Sequence, residues 1–146
     1  MANRYIRRFS EIGVDDVALV GGKNASLGEM YRKLSREGVK VPNGFAITAE
    51  AYRYVLDQAR AWPALHRALD GLKPDDMEDL SRRGRLAREI VFGAPLPDDL
   101  QREILDAYRE LRVEYGEQMS LAVRSSATAE APPHGQLCRT AGDLSL

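Results

Sequence analysis

VGGKNASLGEM, residues 20–30, is the stretch from which the rest of the chain is interpreted. The adjacent Gly21 and Gly22 let the backbone turn where a side chain would clash, just before a predicted helix. Backbone N–H groups at a helix start carry partial positive charge and bind phosphate, and Lys23 adds a full cation beside them. The spacing differs from that of the P-loop, because the glycines are adjacent and Asn24 follows the lysine. A Gly-Gly-Lys turn alone is more often a plain loop, so a phosphate site needs a second feature in the sequence.

The helix that begins beside the glycine pair is indicated by apolar spacing. Leu27, Met30, Tyr31 and Leu34 recur at intervals of three and four residues, as on one face of a helix. Gly38 follows at the position where a helix commonly ends. The pattern therefore places the lysine at or just before a helix N-terminus.

Two short strands and a capped helix are predicted around this helix. Residues 5–9 alternate weakly and predict a strand, and the turn Pro-Asn-Gly at 42–44 leads into a second strand over residues 45–48. Thr48 is a suitable cap for a following helix with Glu50 in its first turn. The buried stripe of that helix is predicted at Tyr52, Val55, Leu56 and Ala59.

Three more helices and a third strand complete the predicted architecture, which is α+β and helix-rich. Helices are predicted over residues 62–72, after Pro74 and after Pro97, the last with the clearest apolar stripe. A short buried strand is predicted over residues 120–124. The arginines opposite the apolar stripes are interpreted as solvated, namely Arg82, Arg83, Arg85 and Arg88.

Composition limits the classes of function. The chain has 146 residues, 44% of them hydrophobic and 29% charged, with a net charge of −1, which argues against nucleic-acid and membrane-surface binding. The single cysteine, Cys138, predicts a reducing, cytoplasmic setting, and no Cys/His cluster has zinc spacing. His66 and His134 lie apart from any nucleophile or carboxylate constellation. We therefore assign no catalytic residue and no metal ligand.

LAVRSSATAE, residues 121–130, supplies the second feature. It places Arg124 directly after an apolar run and follows it with Ser125 and Ser126. A guanidinium group binds phosphate oxygens with a planar fork, and neighbouring hydroxyls add donors. Together with the Gly-Gly-Lys turn, this segment predicts a phosphate-binding site.

Three ordered motifs carry a resemblance to a known family. VGGKNASLGEM, VPNGFAITAEAY and LAVRSSATAE resemble the N-terminal part of the ATP-grasp nucleotide-binding domain of the phosphoenolpyruvate synthase and pyruvate phosphate dikinase family. The resemblance implies the helix-rich first lobe of that domain, and it implies that Lys23 and Arg124 contact ATP phosphates, with Gly21, Gly22, Ser125 and Ser126 as weaker contacts.

The resemblance also implies a reaction. Full-length members transfer phosphate from ATP, through a histidine on a separate domain, to pyruvate, giving phosphoenolpyruvate, AMP and phosphate with Mg²⁺. The Mg²⁺ ligands and the pyruvate site are expected outside this chain. We therefore expect an ATP-binding fragment without turnover of its own, with apolar helix surface left exposed.

The resemblance covers roughly residues 4–130. We therefore expect a partial ATP-grasp domain over residues 1–130 and an aberrant, disordered tail over residues 131–146. A shift of one base in one synonymous coding of residues 134–145 turns HGQLCRTAGDLS into TASFAGQQETY, which resembles the family's next loop. We therefore hypothesise a frameshift near residue 131. An intact frame on resequencing the gene across codons 130–134 would contradict it.

Two alternatives stay open from the sequence. A rifampicin phosphotransferase or a pyruvate phosphate dikinase resembles this chain in the same motifs and differs in its acceptor. A non-catalytic helical binding module would use the glycine turn only as structure. Measuring whether the chain binds ATP distinguishes the fragments of ATP-dependent enzymes from the non-catalytic binding module.

Overall fold

The structure is a computed structural model that describes residues 4–73 and 75–128. Helices dominate these residues, and two short strands join near the N-terminus, as predicted. The strands are β1 (Ile6–Arg8) and β2 (Phe45–Ile47), and the α-helices are α1 (Val17–Val20), α2 (Gly22–Leu34), α3 (Ala49–Gln58), α4 (Trp62–Leu69), α5 (Met77–Phe92) and α6 (Asp98–Tyr115). Single 3₁₀ turns lie at Phe9–Glu11, Val14–Asp16 and Ser35–Glu37.

The two strands pair antiparallel, which confirms the strands predicted over residues 5–9 and 45–48. Ile6 lies opposite Ile47 and Arg8 opposite Phe45. The amide of Thr48 extends the ladder by donating to the carbonyl of Tyr5 at 2.9 Å. This small sheet joins the start of the chain to the segment between α2 and α3.

The predicted caps are confirmed. The hydroxyl of Thr48 accepts the amide hydrogen of Ala51 at 3.2 Å, which satisfies one of the free donors at the start of α3. Asp76 caps α5 in the same way through the amides of Glu78 and Asp79. Gly38 adopts the left-handed conformation after α2 and its 3₁₀ extension, so the helix stops where the sequence predicts.

Three small apolar clusters form the core. The first joins Ile12 and Val20 to Ala25 of α2. The second joins Tyr5, the residue before β1, to Ala51 of α3 and Leu100 of α6. The third joins α3 to α4 and α5, and its buried members are Leu56, Ala61 and Leu65. The first cluster therefore fixes the start of α2, where the phosphate site is predicted.

The buried stripes differ from the predicted ones at several positions. Tyr52 is 52% exposed, whereas its neighbour Ala51 is fully buried against the second cluster. The apolar spacing also predicts that Leu69 and Met77 are buried, but both are exposed, while Ala68 is buried. Both of these buried residues are alanines. A stripe chosen by side-chain size misses such contacts.

The prediction of a buried strand over residues 120–124 is wrong. These residues form neither helix nor strand, and Leu121 and Val123 are 51% and 91% exposed. A strand needs a neighbour to pair its backbone groups, and in the described residues the sheet contains only β1 and β2. An apolar run alone therefore does not make a strand here.

The prediction that the α5 arginines are solvated is wrong for Arg83. Its Nε donates to both carboxylate oxygens of Asp79 at 2.8 Å. Its Nη1 donates to the carbonyl oxygens of Ala68 and Asp70 at the end of α4. Arg83 therefore caps α4 while it pairs with Asp79 on its own helix, and it ties α4 to α5.

Protonation of Asp79 is expected to weaken the contact that Arg83 makes between α4 and α5. Hydrogen bonds from Arg83 first, and from Arg82, hold the pKa of Asp79 below its usual range. Because the folded state binds this proton more weakly than the unfolded chain, the contribution to stability is present above about pH 4 and is lost as pH falls through the lower folded-state pKa. The urea midpoint should therefore fall less between pH 6 and pH 3 in Asp79→Asn than in the parent chain.

The control for this experiment is Asp106→Asn, whose ion pair with Arg109 on α6 is largely exposed. Such a pair contributes little to stability, so this variant should follow the parent curve. An equal fall in Asp79→Asn and the parent would contradict the role given to Asp79.

Large apolar side chains lie exposed on the described surface, as expected from the sequence. Phe92 is 93% exposed and Val113 is 88% exposed. The predicted tail at residues 131–146 lies outside the described residues, and the domain boundary at residue 130 stays a prediction.

Candidate phosphate site

The predicted Gly-Gly-Lys turn forms a tight junction between α1 and α2. Gly21 is the N-cap of α2 with φ of 82° and ψ of 159°, a conformation that is essentially confined to glycine. Its amide donates to the carbonyl of Val17 at 2.8 Å, and its carbonyl accepts the amide hydrogen of Ala25 at 3.0 Å. Lys23 is the second residue of α2 and is exposed, which confirms its predicted place at the helix start.

The second predicted motif packs directly on this turn. The amide of Asn24 donates to Oγ of Ser126 at 3.3 Å, across 102 positions of sequence. The amide of Gly22 donates to the carbonyl of Ala127, also at 3.3 Å. The start of α2 and the segment after Arg124 are therefore neighbours, and the two halves of the predicted site meet.

These hydrogen bonds change one expectation about the glycines. The sequence predicts that the amides of the glycine pair are available to phosphate, but Gly21 donates to Val17 and Gly22 donates to Ala127. The reason is that free donors at a helix start are satisfied by any acceptor in reach, and the 126–127 segment supplies two. Direct contact of phosphate with Gly22 would require this segment to move.

The absence of a side chain at Gly21 permits this close packing. A Cβ at that position would lie 2.2 Å from Oγ of Ser126 and 2.9 Å from the carbonyl oxygen of Ala127. Asn24 supports the junction from the other side, because its Nδ2 donates to the carbonyl of Val20 at 2.9 Å. The turn is therefore held by main-chain and side-chain contacts together.

The two predicted cations flank this junction. Lys23 and Arg124 are both exposed, and neither makes an ion pair with another residue of the described ranges. Backbone geometry and the contact between Asn24 and Ser126 limit the separation of their Cα atoms to about 15 Å. Two long side chains at that separation can reach one polyphosphate chain. Ser125, next to Arg124 in the sequence, is exposed and makes no hydrogen bond to another described residue.

Sequence reasoning missed two residues of this junction, Asn24 and Ala127. The asparagine carries a local signal, because its side chain commonly bonds nearby backbone. The carbonyl of Ala127 carries none, since any residue type offers the same acceptor.

Metal and catalytic groups were not predicted in this chain. No cluster of three or more His, Cys, Asp or Glu side chains suited to a metal occurs in the described ranges. His66 lies near Trp62, with ring centroids 6.3 Å apart, and is exposed on α4. His134 and Cys138 lie outside the described residues.

Comparison with known proteins identifies the family. The model of the pyruvate phosphate dikinase AMP/ATP-binding domain matches residues 17–137. The chain belongs to this family. The matched range includes both halves of the candidate site.

Similar proteins extend far beyond the length of this chain. The chain is 47% identical to a phosphoenolpyruvate synthase of Helicobacter pylori over 131 residues, which are 89% of this chain and 16% of that protein. It is 47% identical to a synthase of Aquifex aeolicus over 84% of this chain and 14% of that protein. It is 44% identical to a synthase of Escherichia coli over 86% of this chain and 16% of that protein. The chain therefore spans about a sixth of the length of these relatives.

No helix in the described ranges is long and apolar enough to cross a membrane.

Proposed function

We propose that this chain binds ATP, with Lys23 and Arg124 contacting the phosphates on either side of the junction between α2 and the 126–127 segment. The observation that carries the proposal is the hydrogen bond between the Asn24 amide and Ser126, which brings the two motifs together. Membership in an AMP/ATP-binding family supports the ligand class. Ser125 is proposed as a weaker contact. The amides of Gly21 and Gly22 and the hydroxyl of Ser126 already make hydrogen bonds within the chain, so their contact with phosphate would require those bonds to open.

The positive charges of Lys23 and Arg124 explain why such a site would favour a nucleoside triphosphate. Neither cation forms an ion pair with a described carboxylate. Lys23 lies at the start of α2, where the helix dipole is positive, and the Arg124 segment docks on that start. An arginine binds two phosphate oxygens with its fork, and a lysine acts as a point charge. Together they offset the repulsion among the phosphate oxygens and hold the chain of phosphates in one orientation.

Magnesium is proposed only as part of the bound nucleotide. The described residues contain no carboxylate cluster that fits the ion, so its protein ligands are expected elsewhere in the full-length family. We also propose that the domain is the helix-rich first lobe of an ATP-grasp fold. In this proposal the described residues bind and orient phosphate, and the Mg²⁺ ligands lie in other parts of the full-length protein.

The whole-protein activity follows from the relatives as a proposal. The relatives compared above carry the name phosphoenolpyruvate synthase, which favours that enzyme over a rifampicin phosphotransferase. In a full-length protein this domain would bind the ATP that phosphorylates pyruvate. The 146-residue chain itself is proposed to bind without turnover, in a cytoplasmic setting.

Titration of Mg-ATP into the purified chain by calorimetry tests the proposal. Lys23→Ala and Arg124→Ala should each raise Kd about tenfold, because each removes a charge-assisted contact. Lys33→Ala is the matched control, since this exposed lysine lies on the same helix and pairs with Glu29 at 2.6 Å. Binding that all three substitutions leave unchanged would contradict the proposal.

A further inference from the structure

The hydroxyl of Ser126 is directed at the start of α2. Its Oγ accepts the amide hydrogen of Asn24 and lies so close to Gly21 that a Cβ there would come within 2.2 Å of it. The residue is partly buried, whereas its neighbours Ser125 and Ala127 are exposed. Ser126 is therefore the side chain of this segment that packs against the helix.

The contact has a geometric consequence for Arg124. Only one residue separates Arg124 from Ser126, and only one peptide bond separates Lys23 from the donor amide of Asn24. The segment over residues 120–124 belongs to no helix or strand and its apolar side chains are exposed. Among the described contacts, the backbone of Arg124 is thus held near Lys23 by the two hydrogen bonds at Ser126 and Ala127.

Of the two hydrogen bonds that hold the segment, only one depends on a side chain, that of Ser126. The bond from the Gly22 amide to the Ala127 carbonyl uses main-chain atoms and survives a change of side chain. The bond from the Asn24 amide depends on a hydroxyl at residue 126. Loss of that hydroxyl leaves the amide of Asn24 at the helix start without its acceptor, which favours movement of the segment.

We propose that Ser126 is a positioning residue that sets the distance between Lys23 and Arg124 by docking the Arg124 segment on the N-terminus of α2. The inference rests on the proposed function for its effect on ATP, and on the structure alone for the docking contact. Ser126 then acts on phosphate through Arg124, and its hydroxyl serves mainly as the acceptor for Asn24.

A double-mutant cycle on the 146-residue chain tests this role. Ser126→Ala should raise the Kd for Mg-ATP about fivefold, the effect of one lost hydrogen bond. In an Arg124→Ala background the same substitution should have no further effect, because there is no guanidinium left to position. Ser126→Thr keeps the oxygen acceptor and should restore affinity. An independent, additive effect in the Arg124→Ala background would overturn the positioning role.

Amide hydrogen exchange at Asn24 in the nucleotide-free chain tests the contact itself. Exchange should accelerate about fivefold in Ser126→Ala and return to the parent rate in Ser126→Thr, while Ser120→Ala, exposed on the same segment, should match the parent. Unchanged exchange in Ser126→Ala would overturn the inference. If the parent binds no Mg-ATP, the proposed function fails, and faster exchange in Ser126→Ala still supports the docking contact.

Discussion

Gly21→Ala is expected to lower the free energy of unfolding by about 3 kcal/mol or more, from two separate causes. The backbone at Gly21, with φ of 82° and ψ of 159°, is strained for alanine, at about 1–3 kcal/mol. The new Cβ would also lie 2.2 Å from Oγ of Ser126, so the Arg124 segment must move away from α2. Urea unfolding measures the loss, and Mg-ATP titration should show weaker binding.

Gly116→Ala separates the two causes. Gly116 ends α6 with φ of 86° and ψ of 168°, nearly the conformation of Gly21, and no described atom lies within 4 Å of a Cβ there. This variant should lose only the backbone part, about 1–3 kcal/mol, and keep its affinity for Mg-ATP. Equal losses of stability and equal affinities in the two variants would contradict the packing of Ser126 on Gly21.

The elements that the sequence predicts well are those with a local cause. Thr48 caps α3 because its hydroxyl meets an amide three residues later, and Gly38 ends the α2 segment by its own backbone conformation. Both effects depend on a few consecutive residues, so they can be inferred from a pattern. The same holds for the position of Lys23 at a helix start.

The features that the sequence predicts poorly depend on distant partners. Ala51 is buried by Tyr5, just before β1, and by Leu100 of α6, and its small size gives no periodic signal. Residues 120–124 have the apolar pattern of a strand but no described neighbour to pair with. The apolar pattern of a segment indicates which secondary structure it could form, and the residues that pack against it decide which one it forms.

The candidate site shows both cases at once. Residue types and the family resemblance select Lys23 and Arg124, and no local pattern shows how the two motifs are joined. The joint consists of an amide of α2 and the hydroxyl of Ser126, 102 positions away. A glycine pair that looks like a set of free donors is in fact already bonded within the chain. The proposed phosphate site therefore consists of two cations on either side of a junction made by main-chain and side-chain hydrogen bonds.

Gly28→Ala is expected to destabilise the chain by about 2 kcal/mol although alanine favours a helix. Gly28 lies within α2 and is buried against Ile12. A Cβ there would lie 2.4 Å from Cγ1 and 2.6 Å from the carbonyl oxygen of Ile12. Because the carbonyl belongs to the backbone, the chain at Ile12 and the middle of α2 must separate. The gain in helix propensity, about 1 kcal/mol, does not offset this overpacking.

Gly84→Ala is the control with the opposite expected sign. Gly84 also lies within a helix, α5, but the nearest atom to a Cβ there is Nη1 of Arg88 at 3.4 Å, the end of a flexible side chain. This substitution should therefore stabilise the chain by about 0.5–1 kcal/mol. Urea midpoints that rise in both variants would show that α2 does not pack on Ile12 as described. A fall in Gly28→Ala beside a rise in Gly84→Ala would instead show that close approach of the backbone requires glycine in the NASLGEM motif.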